Sequence, residues 1–274
     1  MVRSRRVSFT LVALAWLPAC THAHPKLTAT LYGNTAAEHH ASTRAIYMAA
    51  KAQLPAALAD TTWTAALEQG EGAGDKPAAI ILDVDETVLD NSPYQVQGVQ
   101  GGPEYPDGWD AWCKMESAEP VAGAVEFTRF AASQGVTVFY VTNRDSSLES
   151  CTHANLVAAG FPMAEGVDVV LTKNERPEWT GDKTTRRAFV AEDYRIVMLF
   201  GDQLGDFTGE DEATTNPSER DAVVDAHAQR WGSQWFVLPN PLYGGWDSVT
   251  YGHDFGLSED EKNARRLRSM HGPR

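Results

Sequence analysis

The 274-residue chain is short of three things, and each shortage removes a class of function. It has only three cysteines, Cys20, Cys113 and Cys151, and their spacing resembles no zinc-binding cluster. It is poor in basic residues, with 23 Lys and Arg against 37 Asp and Glu and a formal charge of −14. Such a chain repels DNA, RNA and anionic membrane surfaces at long range, so no nucleic-acid polymer is expected as a partner. It also lacks a long hydrophobic run. The apolar stretch Val7–Leu17 is too short to span a bilayer as a mature helix.

What stands at the N-terminus is a targeting segment. Arg3, Arg5 and Arg6 precede Val7–Leu17, and residues 1–19 read as a signal peptide to be left out of the fold. Leu17-Pro18-Ala19-Cys20 resembles a bacterial lipobox, which makes Cys20 a candidate for lipidation. Ordinary cleavage at Ala19 or Ala23, giving a soluble periplasmic protein, is the alternative. Export is expected either way. Losing the leader arginines makes the mature chain more acidic still, so a phosphorylated substrate would need a local cation, best a divalent metal.

With Cys20 lipidated or removed, Cys113 and Cys151 remain as a possible disulfide in an oxidising compartment. Equally, Cys151 could pack on a helical face with Leu148 and Leu156.

Residues 20–76 are alanine-rich and read as helix, with Asn34 or Thr35 as a cap and Pro55 as a break. Ile46, Ala49, Ala50 and Leu54 repeat as a packed face should. Then comes AAIILDVDETVLDNS, Ala78–Ser92. Its apolar start has the length of a buried strand. In an extended segment alternate side chains share a face, so Asp83 and Asp85 point into one site and Val84 away. Residues 94–120 hold several glycines and prolines together with Tyr105, Trp109 and Trp112. They read as a long loop with one helical turn, serving as lid or substrate contact; alternatively the tryptophans anchor the loop.

Beyond the lid, apolar runs alternate with helical patterns. Val136–Val141 ends in Thr142-Asn143-Arg144, Val167–Leu171 ends in Thr172-Lys173, and Ile196–Phe200 ends in Gly201-Asp202-Gln203-Leu204-Gly205-Asp206. Trp235–Leu238 is a fifth candidate strand. This order predicts an α/β fold, a doubly wound, mainly parallel sheet with helices on both faces. Ligands bind such sheets at the carboxyl ends of the strands. There Asp83/Asp85, Thr142/Asn143 and Asp202/Asp206 would meet.

In that order the motifs resemble those of the haloacid-dehalogenase (HAD) superfamily. ILDVDET is similar to its first motif, VFYVTN to its second, Lys183 and its neighbours to its third, and LFGDQLGDF to its fourth. Lys173 competes for the third; Lys183 is preferred because it precedes a helix with Arg186 nearby. DVDETVLDNSPY and NPLYGGWD narrow the resemblance to bacterial class C acid phosphatases over roughly residues 30 to 250. The resemblance implies a HAD-like Rossmannoid core at 77–250, its lid at 94–120, and a small helical companion domain to which 20–76 contributes. Residues 251–274 form a tail expected to be helical. It further implies a secreted phosphomonoesterase, an outer-membrane lipoprotein or periplasmic, acting on small phosphomonoesters. Asp83 would be the nucleophile, forming an aspartyl-phosphate, and Asp85 the general acid and base. One Mg²⁺ per chain would be held by Asp83, the Asp85 carbonyl, Asp202 and Asp206. Thr142, Asn143 and Lys183 would bind the phosphate, and Trp109, Trp112 and Tyr243 a nucleoside 5′-monophosphate by stacking. A phosphotransferase, or a non-catalytic surface lipoprotein on the same scaffold, are the rivals; the second would be expected to have lost Asp83 or Asp85.

Overall fold

The computed structural model describes residues 24–209 and 216–270. The signal segment and Cys20 lie outside the described residues, as does the end of the tail. Among the described residues, seven strands follow in chain order: β1 (Ala78–Leu82), β2 (Leu89–Asp90), β3 (Glu119–Pro120), β4 (Thr137–Asp145), β5 (Val170–Lys173), β6 (Arg195–Gly201) and β7 (Trp235–Val237). Five make one sheet in the order β5-β4-β1-β6-β7, and every pairing is parallel. The most apolar strand takes the centre. Ala79 to Leu82 of β1 and all of β6 are buried, as strands covered on both faces must be. The expected strands are all present. β4 runs on through Asp145, and β5 begins later than expected, at Val170.

The helices that matter to the site are α1 (Leu27–Thr35), α2 (Ala37–Ala59), α3 (Ser92–Val99), α4 (Trp109–Lys114), α5 (Ala124–Ser133), α6 (Glu149–Ala159) and α7 (Thr184–Asp193). Three expectations are corrected here. Pro55 does not break α2, which passes straight through it. Pro55 lies on the exposed side, where the carbonyl left unpaired at Lys51 can turn to water. Neither Asn34 nor Thr35 caps α2; the N-cap is Ala36, which has no side-chain cap bond. The packed face keeps the expected Ala50 and Leu54 and adds Thr43, Tyr47 and Ala57; Ile46 packs partly buried beside it, whereas Ala49 is exposed. Through that face α2 joins the main core: Tyr47 stacks on Phe200 of β6 at 5.6 Å and meets Phe127 of α5. On this side α2 covers the sheet, while α1 packs against α3 of the lid.

The lid is also more ordered than a loop with one turn. It leaves the core through the antiparallel pair β2–β3 and carries α3 and α4. A disulfide between Cys113 and Cys151 ties α4 to α6. In the tail, Ser258 and Glu261 form a reciprocal capping box that starts the helix Glu259–Ser269. No helix among the described residues is long and apolar enough to cross a membrane.

Candidate active site

At the end of β1 the ladder continues one step. The Asp83 amide donates to Phe200 O at 2.9 Å, which fixes Asp83 beside the end of β6. Val84 is fully buried on the opposite side, as strand alternation requires. The chain then turns tightly: the amides of Val88 and Leu89 both donate to Val84 O, and Glu86 takes a positive φ of 60°. That turn throws Asp83 and Asp85 toward the same opening.

From β6 come Asp202 and Asp206. Asp206 sits in the short 3₁₀ turn Leu204–Asp206, where its carboxylate accepts from the Gln203 amide at 2.9 Å. Gly201 makes this possible, because an added Cβ there would collide with the Asp206 carboxylate. Carboxylate oxygens of Asp83, Asp202 and Asp206 all lie within 4.8 Å of one another. Asp202 also accepts from Gln203 and Asn240, at 2.6 and 2.7 Å.

Lys183, at the N-cap of α7, completes the cluster. Its buried ammonium donates to Asp83 and, at 2.6 Å, to Asp206. Lys173 ends β5 in register with Asp145; Lys183 is the lysine that reaches the cluster. Burial pushes the Asp83 carboxyl up to about 7, with Asp206 and Asp85 adding to the rise and Lys183 opposing it. Asp202 is raised well above the ordinary carboxylate value, first by burial and then by Asp83 and Asp206. Burial works to lower Lys183, yet Asp206 and Asp83 hold it above its usual value. When all three carboxylates ionise, the one bonded ammonium leaves two negative charges uncompensated in a largely buried place. A divalent cation would balance them, and an all-oxygen donor set suits a hard ion such as Mg²⁺. The residues fit the metal that the motifs imply.

Thr142 and Asn143 are brought to the same edge and braced from α7. The buried Arg186 donates to Thr142 O and to Asn143 Oδ1, the latter at 2.6 Å, while Asn143 Nδ2 donates to Gly181 O at 2.8 Å. Arg187 grips Glu68 at 2.6 Å and the carbonyls of Gly205 and Asp206. The two arginines thus fix the Thr142-Asn143 turn and the acidic turn relative to one helix.

The aromatic residues divide. Tyr243 is half-buried and donates its hydroxyl to Glu86. Trp109 is half-buried and lies edge-on to Tyr94 at 5.2 Å and Tyr105 at 5.9 Å. Trp112 is corrected: it is buried, and its indole N–H donates to Asn91 Oδ1 at 2.8 Å, so it anchors the lid and presents no face to a ligand.

Four site residues escaped the sequence reading: Glu86, Asn91, Arg144 and Asn240. Glu86 is buried with its carboxyl raised, first by burial and then by Asp85, Asp202 and Asp90. Arg144 pairs with Asp85 at 2.7 Å. A signal for Arg144 existed. It shares strand parity with Thr142, so if β4 persists both turn inward while Asn143 stays exposed.

Residues 20–246 match a family model described as HAD superfamily, subfamily IIIB (Acid phosphatase). The structure of the class C acid phosphatase from Bacillus anthracis is similar at a TM-score of 0.79 and 33% identity, covering 91% of this chain and 98% of that one. The crystal structure of that enzyme with tungstate bound gives the same TM-score and coverage at 34% identity. Acid phosphatase 1 of Solanum lycopersicum is 30% identical over 165 residues, 60% of this chain and 57% of that protein. The chain thus spans less than two thirds of the length of the curated relatives it matches.

Proposed function

The chain belongs to subfamily IIIB of the HAD superfamily, the acid phosphatases, and from that premise we propose that it is an exported, Mg²⁺-dependent phosphomonoesterase working through an aspartyl-phosphate on Asp83. The observation that carries this reading is the cluster of Asp83, Asp202 and Asp206, with the buried Lys183 paired to Asp83 and Asp206. Asp83 attacks phosphorus with a carboxylate oxygen, forming a P–O bond as the ester P–O bond breaks in line. The leaving alkoxide takes its proton from Asp85. Water then attacks the aspartyl-phosphate, Asp85 accepts the water's proton, and phosphate and the free Asp83 carboxylate are restored. Lys183, Thr142 and the backbone amide of Asn143 hold the phosphoryl oxygens as their charge redistributes, the Asn143 side chain being engaged by Arg186 and Gly181. Mg²⁺ would be held by Asp83, Asp202 and Asp206 together with the Asp85 carbonyl, and supplies charge neutralisation at the phosphoryl group. Tungstate, bound by the Bacillus anthracis relative, is a tetrahedral oxyanion like phosphate, which is consistent with an enzyme that handles phosphate esters.

The groups that grip phosphate cannot tell one ester from another. Selectivity falls to the rim, where Trp109 and Tyr243 offer half-buried rings. Stacking favours nucleoside 5′-monophosphates over small alkyl phosphates and tolerates any base, since each has a π-face. Export rests on the leader and on the Cys113–Cys151 disulfide, which suits an oxidising compartment. A lipid on Cys20 would make the membrane contact an anchor only; palmitate labelling that disappears in Cys20→Ser tests it. The function itself is tested by phosphate release from a panel of monoesters with and without EDTA. Turnover that ignores EDTA overturns the metal, and no turnover on any monoester overturns the phosphatase.

A further inference from the structure

Asp83 is held by a lysine that also reaches the metal cluster, whereas Asp85 is held by groups outside it. Resting on the phosphatase reading above, we propose that Arg144 is the positioning residue for Asp85, and that it leaves the Oδ2 atom as the oxygen that exchanges the proton.

The geometry is specific about which oxygen is taken. Arg144 Nη2 donates to Asp85 Oδ1 at 2.7 Å, Nε donates to the same oxygen at 3.0 Å, and Asn91 Nδ2 donates to it at 2.8 Å. Oδ2 receives only the longer branch from Nε, at 3.3 Å. A carboxylate oxygen with three donors has no capacity left for a leaving group or a water. Oδ2 keeps that capacity, and the Asp85 side chain is 19% exposed, so one side of it stays open to the site.

Arg144 in turn sits in a socket with every donor satisfied. Nη1 donates to Thr152 Oγ1 at 3.2 Å and to Cys113 Sγ at 3.4 Å, and Nη2 donates also to Asn91 Oδ1 at 3.2 Å. The guanidinium lies 5.2 Å from the centre of the Trp109 ring. Asn91 is itself fixed by Trp112. Apart from Asp85, then, the partners of Arg144 come from the lid and from α6, the two elements that the disulfide joins. A planar fork of five donors is what this arrangement uses, and a lysine cannot reproduce it.

The alternative is that Arg144 merely staples the lid to the core and Asp85 is a convenient counter-ion. The two differ in how they treat leaving groups. An activated aryl phosphate such as p-nitrophenyl phosphate needs little protonation, whereas glycerol phosphate needs it fully. With Mg²⁺ in excess, Arg144→Lys is expected to lower kcat/KM for glycerol phosphate about 10- to 100-fold and for p-nitrophenyl phosphate less than about 3-fold, part of the range a general acid supplies. In an Asp85→Asn background the same change is expected to do nothing further on either substrate. Equal losses on the two substrates, or a loss that adds to that of Asp85→Asn, would overturn the proposal. If Arg144→Lys fails to fold, Thr152→Val decides, because it removes one acceptor of the socket and leaves Asp85 untouched. It is expected to show the same substrate split in smaller form, and a parallel loss or no loss overturns the proposal. A wild-type protein inactive on both substrates would instead strike the phosphatase reading, and an Asp83→Asn protein that retains turnover would strike Asp83 as its nucleophile.

Discussion

The floor and the rim of the site are built on opposite plans. The floor, Asp83, Asp202, Asp206 and Lys183, is charged and largely buried, and its members follow the ends of strands or start a helix. Lys183 is bonded to Asp83 and Asp206, and Asp202 is held by Gln203 and Asn240. The rim is made of half-exposed aromatic rings on the lid and the late loop, Tyr243 steadied by one hydroxyl bond and Trp109 by edge contacts with Tyr94 and Tyr105. A floor of that kind fixes which reaction runs, because moving any carboxylate unbalances the others. A rim of that kind sets which ester is preferred, and it can change without disturbing the chemistry.

The largest test of that division is Asp83→Asn. An amide cannot form the acyl-phosphate, so turnover on every monoester should fall by at least about 10³-fold while the protein still folds. Comparable losses on nucleotide and alkyl esters are expected. A selective loss would blur the division, and near-normal activity in repurified protein would remove Asp83 as nucleophile.

Next comes the metal's effect on the floor. Burial holds the Asp83 carboxyl at about 7 in the folded protein against 3.8 when exposed. The folded state therefore keeps this proton more tightly than the unfolded chain does. The resulting stabilisation is fully present below pH 4 and is lost as pH rises through about 7. Asp202 and Glu86 are shifted in the same direction. A cation that pairs with the ionised carboxylates relieves the loss. The gap between the melting temperatures in Mg²⁺ and in EDTA should widen from pH 4 to pH 7, by several degrees. A gap that is constant with pH would mean the metal does not bind at these carboxylates.

The same contrast explains what could be read before the structure. The floor was legible because it hangs on strand ends: an apolar run followed by Asp-x-Asp has one sensible place in a parallel sheet, and Lys183 preceding a helix has one sensible direction. Asn91, Asn240 and Glu86 were not, and Arg144 only by its strand parity. Their roles arise from side-chain pairings that neither periodicity nor spacing fixes: Arg144, Asn240 and Tyr243 reach Asp85, Asp202 and Glu86 from distant segments. Asn91 looks like a turn residue and is one, yet its amide also bonds Asp85. Pro55 misled for a related reason. Local propensity argues for a break, whereas the burial of Leu54 and Ala57 against the sheet holds the helix through it.

On the rim, Tyr243→Ala should cost a nucleoside 5′-monophosphate about 5- to 150-fold in kcat/KM, the worth of one stacked base of roughly 1–3 kcal/mol. Glycerol phosphate should be much less affected. The hydroxyl contact with Glu86 offers a control: Tyr243→Phe keeps the ring and should keep the preference. Parallel losses on both substrates would make Tyr243 a packing residue of the late loop.

The smallest effect should come from the other aromatic, and it tests the correction made to the lid. Trp112 is buried, and its one polar atom serves Asn91 Oδ1. Trp112→Phe keeps an aromatic ring in that space but removes the donor. Asn91 Oδ1 still accepts from Arg144 Nη2 at 3.2 Å, so it is not left unsatisfied, and the net cost should be about 0.5–1.5 kcal/mol of stability. The substituted ring fills less volume, which adds to that cost without changing its sign. Because the ring faces no ligand, the ratio of kcat/KM for a nucleotide to that for glycerol phosphate should stay within about 2-fold of wild type, whereas Tyr243→Ala collapses it. Chemical denaturation and the two-substrate ratio measure these independently. A ratio that fell as far in Trp112→Phe as in Tyr243→Ala would put Trp112 back among the residues that meet substrate, and would erase the line between anchor and rim at this point of the lid.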